Sequence, residues 1–514
     1  MILINAQANR SEKLGVFAKY VPLQIPIGIA VLAAFLINKG YNVKIWDDAV
    51  RMLTSNDLKE LIKGCGKPYI FGISCMTASI ARGLFIAKNI RKLFPGAKIV
   101  FGGIHPTVLP EETIKSDLVD FVVRKEGEIP MEQLYVALKT GSNFEDIPNL
   151  SFKKNGRIIH NEPMPGPSME ELPPFPYSLF EEHQDKYDLG FVIGSRGCPY
   201  DCIFCSQRSI TGRRVSYNPA ERIVADIELL VNKYHKELIT FADDSMLTNK
   251  KRILTMCEMI IKKGLHKKAS FQGQVRGDDC NAEVLKGLKN ANFITLSFGL
   301  ETASERLMEI IEKQETVAAN VKAMEMARQF GFQISGTFIL GLPTETKEER
   351  RKSYKLACKY LDFVRFNDAT PYPGTKFYEI ALKDGRMNIG KEWENFNACG
   401  TLIHGVFNNR RLAYVPIGST EAELKLDLLR YNLFFSFRWK VISDLLFKKR
   451  GTAGWFSMKQ RWFLDFQEWI HLIILGVGIT QRWVEMFIFM FIASLPGGNR
   501  SLPFNKQNNG SHVE

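Results

Sequence analysis

Three cysteines stand within nine residues of this sequence, in GCPYDCIFC (197–205). Cys198, Cys202 and Cys205 are separated by three and then two residues. A structural zinc site uses four ligands, commonly in two pairs, and a thioredoxin-type redox pair uses two cysteines two residues apart. Three thiolates on one short loop suit neither. They suit a metal group that keeps a position open: four-iron clusters take four thiolates, so three leave one iron available to another ligand, as in catalytic metal sites.

Other groups able to do chemistry fall at the ends of β-rich runs. LITFADD (238–244) ends in Asp243 and Asp244, and helix N-capping is the rival use of Asp244. In QGQVR (272–276) strand alternation sends Gln272, Gln274 and Arg276 to one face. Polar residues inside a barrel imply a ligand, although a structural salt bridge is the competing role for Arg276. FGLET (298–302) ends a β-rich run in Glu301, and GLPTET (341–346) begins at Gly341.

Two series of alternating elements must position these groups. ILIN (2–5), VKIW (43–46), YIFGIS (69–74), KIVFGG (98–103) and DFVV (120–123) read as strands separated by helices. That rhythm predicts a doubly wound parallel sheet over residues 1–140, with ligands beyond the strands' carboxyl ends. No G-x-G-x-x-G follows the first strand, which argues against a dinucleotide. Gly72, Gly102, Gly103 and Gly127 would let a bulky ligand approach the backbone. Residues 141–185 read as a connector, with six prolines in 161–180. From about residue 186 to 385 six strand–helix units predict a partial TIM-like barrel whose site lies at the strands' C-terminal ends. Residues 386–514 should be mostly helical.

The 514 residues, 45% hydrophobic and 24% charged, describe a folded chain of several domains. MILINAQAN lacks the basic start and cleavage site of a secretory signal, so the expected location is cytoplasmic. Reduced cysteines are then expected, and Cys65, Cys75, Cys257, Cys280, Cys358 and Cys399 read as core residues. The net charge of +13 comes without a nucleic-acid-binding module, so no nucleic-acid partner is expected.

The cysteine spacing on the loop after the first barrel strand is the signature of the radical S-adenosylmethionine (SAM) family. PIGIAVLAAFLINKGYNVKIWDD (26–48), FGGIHPTVLPEE (101–112) and KEGE (125–128) resemble the cobalamin-binding domain of one branch of that family. The resemblance covers about residues 1–400. It implies a [4Fe-4S] cluster on Cys198, Cys202 and Cys205, whose open iron chelates SAM, and an electron that cleaves SAM to a 5′-deoxyadenosyl radical. It places Phe204 by the adenine, Asp243 or Asp244 at the SAM amino group, Arg276 at its carboxylate, Glu301 at the ribose and Gly341 in the turn beside adenine. Cobalamin is implied on Gly72, Ser74, Gly102, Gly103, Glu126, Gly127 and Glu128. The cobalt-ligating D-x-H-x-x-G motif is absent, His105 reads as a loop hydrogen-bonding residue, and Lys125 stands where the family usually has glycine.

By analogy with that branch, the expected reaction is methylation of an unactivated carbon. Ring closure, oxidation or carbon–carbon bond formation is the alternative, and a non-catalytic iron–sulfur scaffold the distant one. A small molecule, in one reading lipid-like, is the expected substrate, and flavodoxin or ferredoxin the expected electron donor. Five of the seven tryptophans, Trp439, Trp455, Trp462, Trp469 and Trp483, fall in residues 436–500. The charge-free run 469–481 is 13 residues long, short of the about 18 that spanning requires. With basic flanks it suits the inner membrane surface, against the competing reading of a helical cap on the barrel.

Overall fold

The computed structural model describes residues 1–7, 23–397, 411–440, 477, 480–488 and 490–491. The first sheet contains β1 (Ile2–Asn5), β2 (Lys44–Asp47), β3 (Ile70–Ser74), β4 (Lys98–Gly102) and β5 (Phe121–Val123), all parallel. An antiparallel hairpin, β6 (Leu150–Lys154) and β7 (Arg157–His160), extends it in the order β2-β1-β3-β4-β5-β6-β7. The connector expected from residue 141 is thereby corrected, because its first part joins the sheet. Alternation in LSFKK puts Leu150 and Phe152 into the core, a signal too short to stand out beside the prolines that follow.

Between this sheet and the barrel runs α1 (Ile27–Asn38). Its sequence, IGIAVLAAFLIN, is apolar on every side, the pattern of a helix buried all round. Ile29, Val31, Ala33, Phe35 and Leu36 pack with the first sheet, while Ala30 belongs to the barrel core. The proline-rich strap follows the hairpin and is pinned by Arg222, which donates to the carbonyls of Met169 and Leu172.

The barrel is a six-stranded parallel sheet in sequence order: β8 (Phe191–Val192), β9 (Leu238–Phe241), β10 (Ser270–Val275), β11 (Phe293–Glu301), β12 (Gln333–Leu340) and β13 (Phe363–Asp368). The first predicted strand is shorter than expected. The chain breaks at Gly194, where a Cβ would meet the Asp243 carboxylate at 2.7 Å. It then forms a short antiparallel pair, Ser195–Arg196 with Ser216–Tyr217, which closes the base of the cysteine loop. Two small helices meet beside that loop, α2 (Ile104–Val108) from the first domain and α3 (Gln207–Thr211) directly after Cys205.

α4 (Lys347–Tyr360), between β12 and β13, and α5 (Glu421–Ser436), past the last strand, both start with capping boxes, Thr346 with Glu349 and Thr420 with Glu423. The second helix packs on β13, and Asn432 exchanges hydrogen bonds with the Phe366 backbone. Arg350, wholly buried, ties the two helices by donating to Asp427 at 2.9 Å and to Ser419 at 3.0 Å. Removing one member of a buried ion pair leaves an uncompensated charge, at a cost of about 3–5 kcal/mol. Asp427→Ala is expected to lower stability by that amount, read as a lower urea midpoint of the full-length protein.

Candidate active site

The cysteine loop crosses the C-terminal mouth of the barrel. Gly197, at φ +96°, starts it: a Cβ there would meet the Arg214 carbonyl at 2.2 Å, so only glycine fits. Its N–H donates to Asp244 at 3.0 Å. The Ile203 N–H donates to the Ile311 carbonyl and the Phe377 N–H to the Ile203 carbonyl, anchoring the loop from two other sides. Phe204 packs against the apolar cluster of Ile203, Met308, Ile311 and Leu342. The three thiols are unpaired, partly buried and close enough to disfavour one another's ionisation. Burial pushes all three up, Cys205 to about 11. Among the described residues no three His, Cys, Asp or Glu side chains converge on a point that could hold a single metal ion. Thiolates are the ligands of iron–sulfur clusters, and the three thiols on this loop supply that chemistry.

Glu301 ends β11 at φ +60°, after an irregularity in its pairing with β12. A non-glycine residue in the left-handed region is strained, and such strain gathers at functional positions. Its carboxylate is buried and accepts a 3.0 Å hydrogen bond from Lys313. Lys313 also donates to the Gly299 carbonyl at 2.6 Å. Burial works against its charge, but Glu301, Glu315 and Cys202 outweigh burial and raise its pKa. Sequence reasoning missed this lysine, because EKQET (312–316) looks like a solvated charged stretch. The available signal was a lysine among acidic residues 12 residues after Glu301.

Several expected ligand groups are engaged elsewhere. Asp243 is buried, accepts from the Gly194 N–H and the Ser195 hydroxyl, and faces Arg252, so it holds the barrel strands together. Asp244 is the member of the pair exposed at the mouth. Gln274 is exposed there too, whereas Gln272 donates to Thr240. Arg276 is buried, paired with Asp278 at 2.9 and 3.0 Å, bonded to the carbonyls of Lys313 and Gln314, and stacked 3.5 Å over the Tyr200 ring. It braces the cysteine loop, the salt-bridge alternative its sequence left open. Gly341, at φ +92°, lies under Leu424 of α5, and Glu345 accepts its N–H.

In the first domain Gly72 is a packing residue, since a Cβ would strike Leu3 at 2.8 Å inside the sheet. Gly103, at φ +93°, lies against the Cys75 backbone, and a Cβ there would also sit 3.0 Å from the Ser74 hydroxyl. Its need for glycine is therefore internal. A Cβ on Gly102 would meet nothing closer than the Val123 carbonyl at 3.6 Å, so there is room at this C-terminal end of β4. Lys125 takes the positive φ, +61°, that glycine would supply, and its N–H donates to Thr107. Glu126 and Glu128, expected at cobalamin, instead both accept from Arg196 at 2.9 Å. His105 is fully buried, its ring edge-on to Trp393 at 5.4 Å.

Residues 192–357 match the model of the radical SAM superfamily, and residues 14–135 match the B12 binding domain. An uncharacterized methyltransferase of Pyrococcus horikoshii is 34% identical over 83% of this chain and 91% of its own length. The chain belongs to the cobalamin-binding branch of the radical SAM superfamily. The anaerobic magnesium-protoporphyrin IX monomethyl ester cyclase of Cereibacter sphaeroides is 27% identical over 76% of this chain and 67% of its own. The fold also matches that of the cobalamin-dependent SAM radical enzyme OxsB, solved with aqua-cobalamin and SAM. There the TM-score is 0.68 and the identity 16%, over 96% of this chain and 72% of that one.

This radical SAM enzyme therefore uses a [4Fe-4S] cluster, SAM and cobalamin, and the residues present fit them: three free thiols at the barrel mouth, a buried acid–ammonium pair beside them, and room at Gly102. Cys202→Ala removes one of three cluster thiolates, so iron content and SAM cleavage should both fall to background. Lys313→Met leaves Glu301 buried without its cation. A hydrogen bond to a charged group contributes about 1.5–3 kcal/mol, so SAM affinity in equilibrium dialysis should drop about tenfold or more while iron content stays unchanged.

Proposed function

We propose that the enzyme methylates an unactivated carbon of a hydrophobic, lipid-like substrate. The observation that carries this reading is a cavity of about 160 Å³ between the two domains. Its walls are Ile27 and Val31 of α1, Met169 of the strap, and Ile193 and Ala242 of the barrel, with Ser195, Arg196 and Asp244 on its polar side. The apolar side of this cleft would take a hydrocarbon group, and its polar side a hydrogen-bonding one. Cobalamin, when bound, supplies methyl-transfer chemistry. The chain's own residues do the rest: the cysteines hold the cluster, Glu301 and Lys313 hold the ribose end of SAM, Asp244 is placed for the amino group, and Phe204 packs near adenine.

One electron, from a carrier such as flavodoxin or ferredoxin, splits a SAM into methionine and the 5′-deoxyadenosyl radical. That radical leaves as 5′-deoxyadenosine after taking a substrate hydrogen atom. A second SAM is the methyl source and leaves as S-adenosylhomocysteine, and a second electron from the same carrier balances the transfer of its methyl group, formally a methyl cation, to the substrate radical. The similarity to the cyclase supports a second reading, a radical reaction without methyl transfer. Neither reading is a scaffold, since the buried Glu301–Lys313 pair is unnecessary for merely holding a cluster. Anaerobic protein reconstituted with cobalamin, given SAM, reductant and a cell lipid extract, should yield S-adenosylhomocysteine together with 5′-deoxyadenosine. 5′-Deoxyadenosine alone would favour the second reading.

A membrane surface supports the choice of substrate class. No helix among the described residues is long and apolar enough to cross a bilayer. Trp455, Trp462 and Trp469 lie outside those residues. Trp439 is 74% exposed, and Trp483 packs on Phe434 and Phe437. Beside them Val484, Phe487, Ile488 and Phe491 are exposed, whereas Arg438 and Lys440, on either side of Trp439, are tied to the barrel through the Cys358 and Leu361 carbonyls and Asp362. Exposed aromatics suit a headgroup interface. Full-length protein should float with anionic liposomes, and a chain truncated after Phe435 should not. Both remaining in the pellet would make this region a cap only.

A further inference from the structure

Four charged side chains meet where the first domain touches the base of the cysteine loop. Arg196 donates to Glu126 and to Glu128, each at 2.9 Å. Only 8% of the Glu126 side chain and 4% of the Glu128 side chain are exposed, and 19% of Arg196. The second Glu126 oxygen accepts from the Gly166 N–H at 2.8 Å, which brings in the strap. Arg214 donates to the Gly166 carbonyl and approaches Glu126 at 3.9 Å, giving two cations for two carboxylates. Backbone geometry is committed to this meeting at both ends. Lys125 adopts φ +61° immediately before Glu126, and a Cβ on Gly166 would collide with Glu126 at 2.7 Å.

We infer that Arg196 is a positioning residue that fixes the separation and angle between cobalamin and the iron–sulfur cluster. It follows from where the two ends of the ion cluster lead. On one side Glu126 and Glu128 sit just past the C-terminal end of β5, the edge that takes a ligand in a parallel sheet, next to the room at Gly102. On the other side Arg196 ends the antiparallel pair that closes the loop, and only Gly197 separates it from Cys198. Gly197 is itself pinned to Asp244. The path from the cobalamin edge to the first thiolate therefore has no freely rotating joint. The contact of α2 with α3 and the packing of Val108 over Gly374 give it a second support. A radical made at the cluster and a methyl group held on the other domain must reach the same carbon, so a small change of this angle separates the two events.

The inference rests on the cobalamin assignment. Its test is the distance between the two centres, measured by pulsed EPR on protein holding cob(II)alamin and the reduced cluster, in wild type, Arg196→Met, Arg196→Lys and Glu126→Gln. Wild type should give one narrow distance distribution. Arg196→Met should keep both centres at wild-type stoichiometry but give a broadened or shifted distribution, and Arg196→Lys should restore most of the narrow one. An unchanged distribution in Arg196→Met would overturn the inference. If Arg196→Met retains neither centre, Glu126→Gln, which keeps the shape and removes one charge, is read in its place: a broadened distribution supports the inference and an unchanged one overturns it. Wild-type protein that retains no cobalamin would instead overturn the cobalamin assignment, and this inference with it.

Discussion

The arrangement depends on two parallel sheets turning their ligand-bearing edges toward each other. Each edge gathers the carboxyl ends of parallel strands, where such sheets bind ligands, and each would otherwise be a separate site. The Glu126–Arg196–Glu128 contact holds the edges in one relation. Ions this buried are costly to desolvate, and a well-packed apolar contact often serves stability as well. Their presence at this junction is better explained by directional hydrogen bonds, which fix an angle that apolar packing leaves loose. α1 fills the space behind that junction, and Ala30 is small enough to let the barrel core approach.

Within the barrel the same economy recurs. Arg276, Tyr200 and Asp278 brace the cysteine loop from one side. Lys313 links the loop's electrostatic surroundings to Glu301 from another. Asp243 joins the first strand to the second, freeing Asp244 for the mouth. Adjacent residues of one type, just past the strand's end, thus divide into a buried tie and an exposed carboxylate that holds the start of the cysteine loop.

Both sheets were legible in the sequence because hydrophobic runs and glycine turns recur at strand–helix spacing, and the cysteine spacing was specific enough to identify the cluster. The hairpin at 150–160 was not, since its two short strands borrow their burial from β5. Residue roles read through resemblance fared unevenly. Glu301 ends β11 with its carboxylate bonded to Lys313, and Glu126, Glu128, Gly72 and Gly103 serve the protein's own packing and ion pairs. Sequence shows that a position needs glycine or a carboxylate, not whether the neighbour that demands it is a ligand or another part of the chain. Lys313 was missed for the converse reason: its burial comes from a tertiary contact with β11, which leaves no local pattern.

The central claim is that three cysteines hold a cluster with one iron left open to SAM, at the mouth that faces the cobalamin domain. The most direct test is Mössbauer spectroscopy of ⁵⁷Fe-reconstituted protein with and without SAM. The account predicts that SAM shifts the signal of one iron of the cluster toward higher coordination and leaves the others unchanged. A spectrum indifferent to SAM, with all irons equivalent under conditions where SAM is shown to bind, would contradict it.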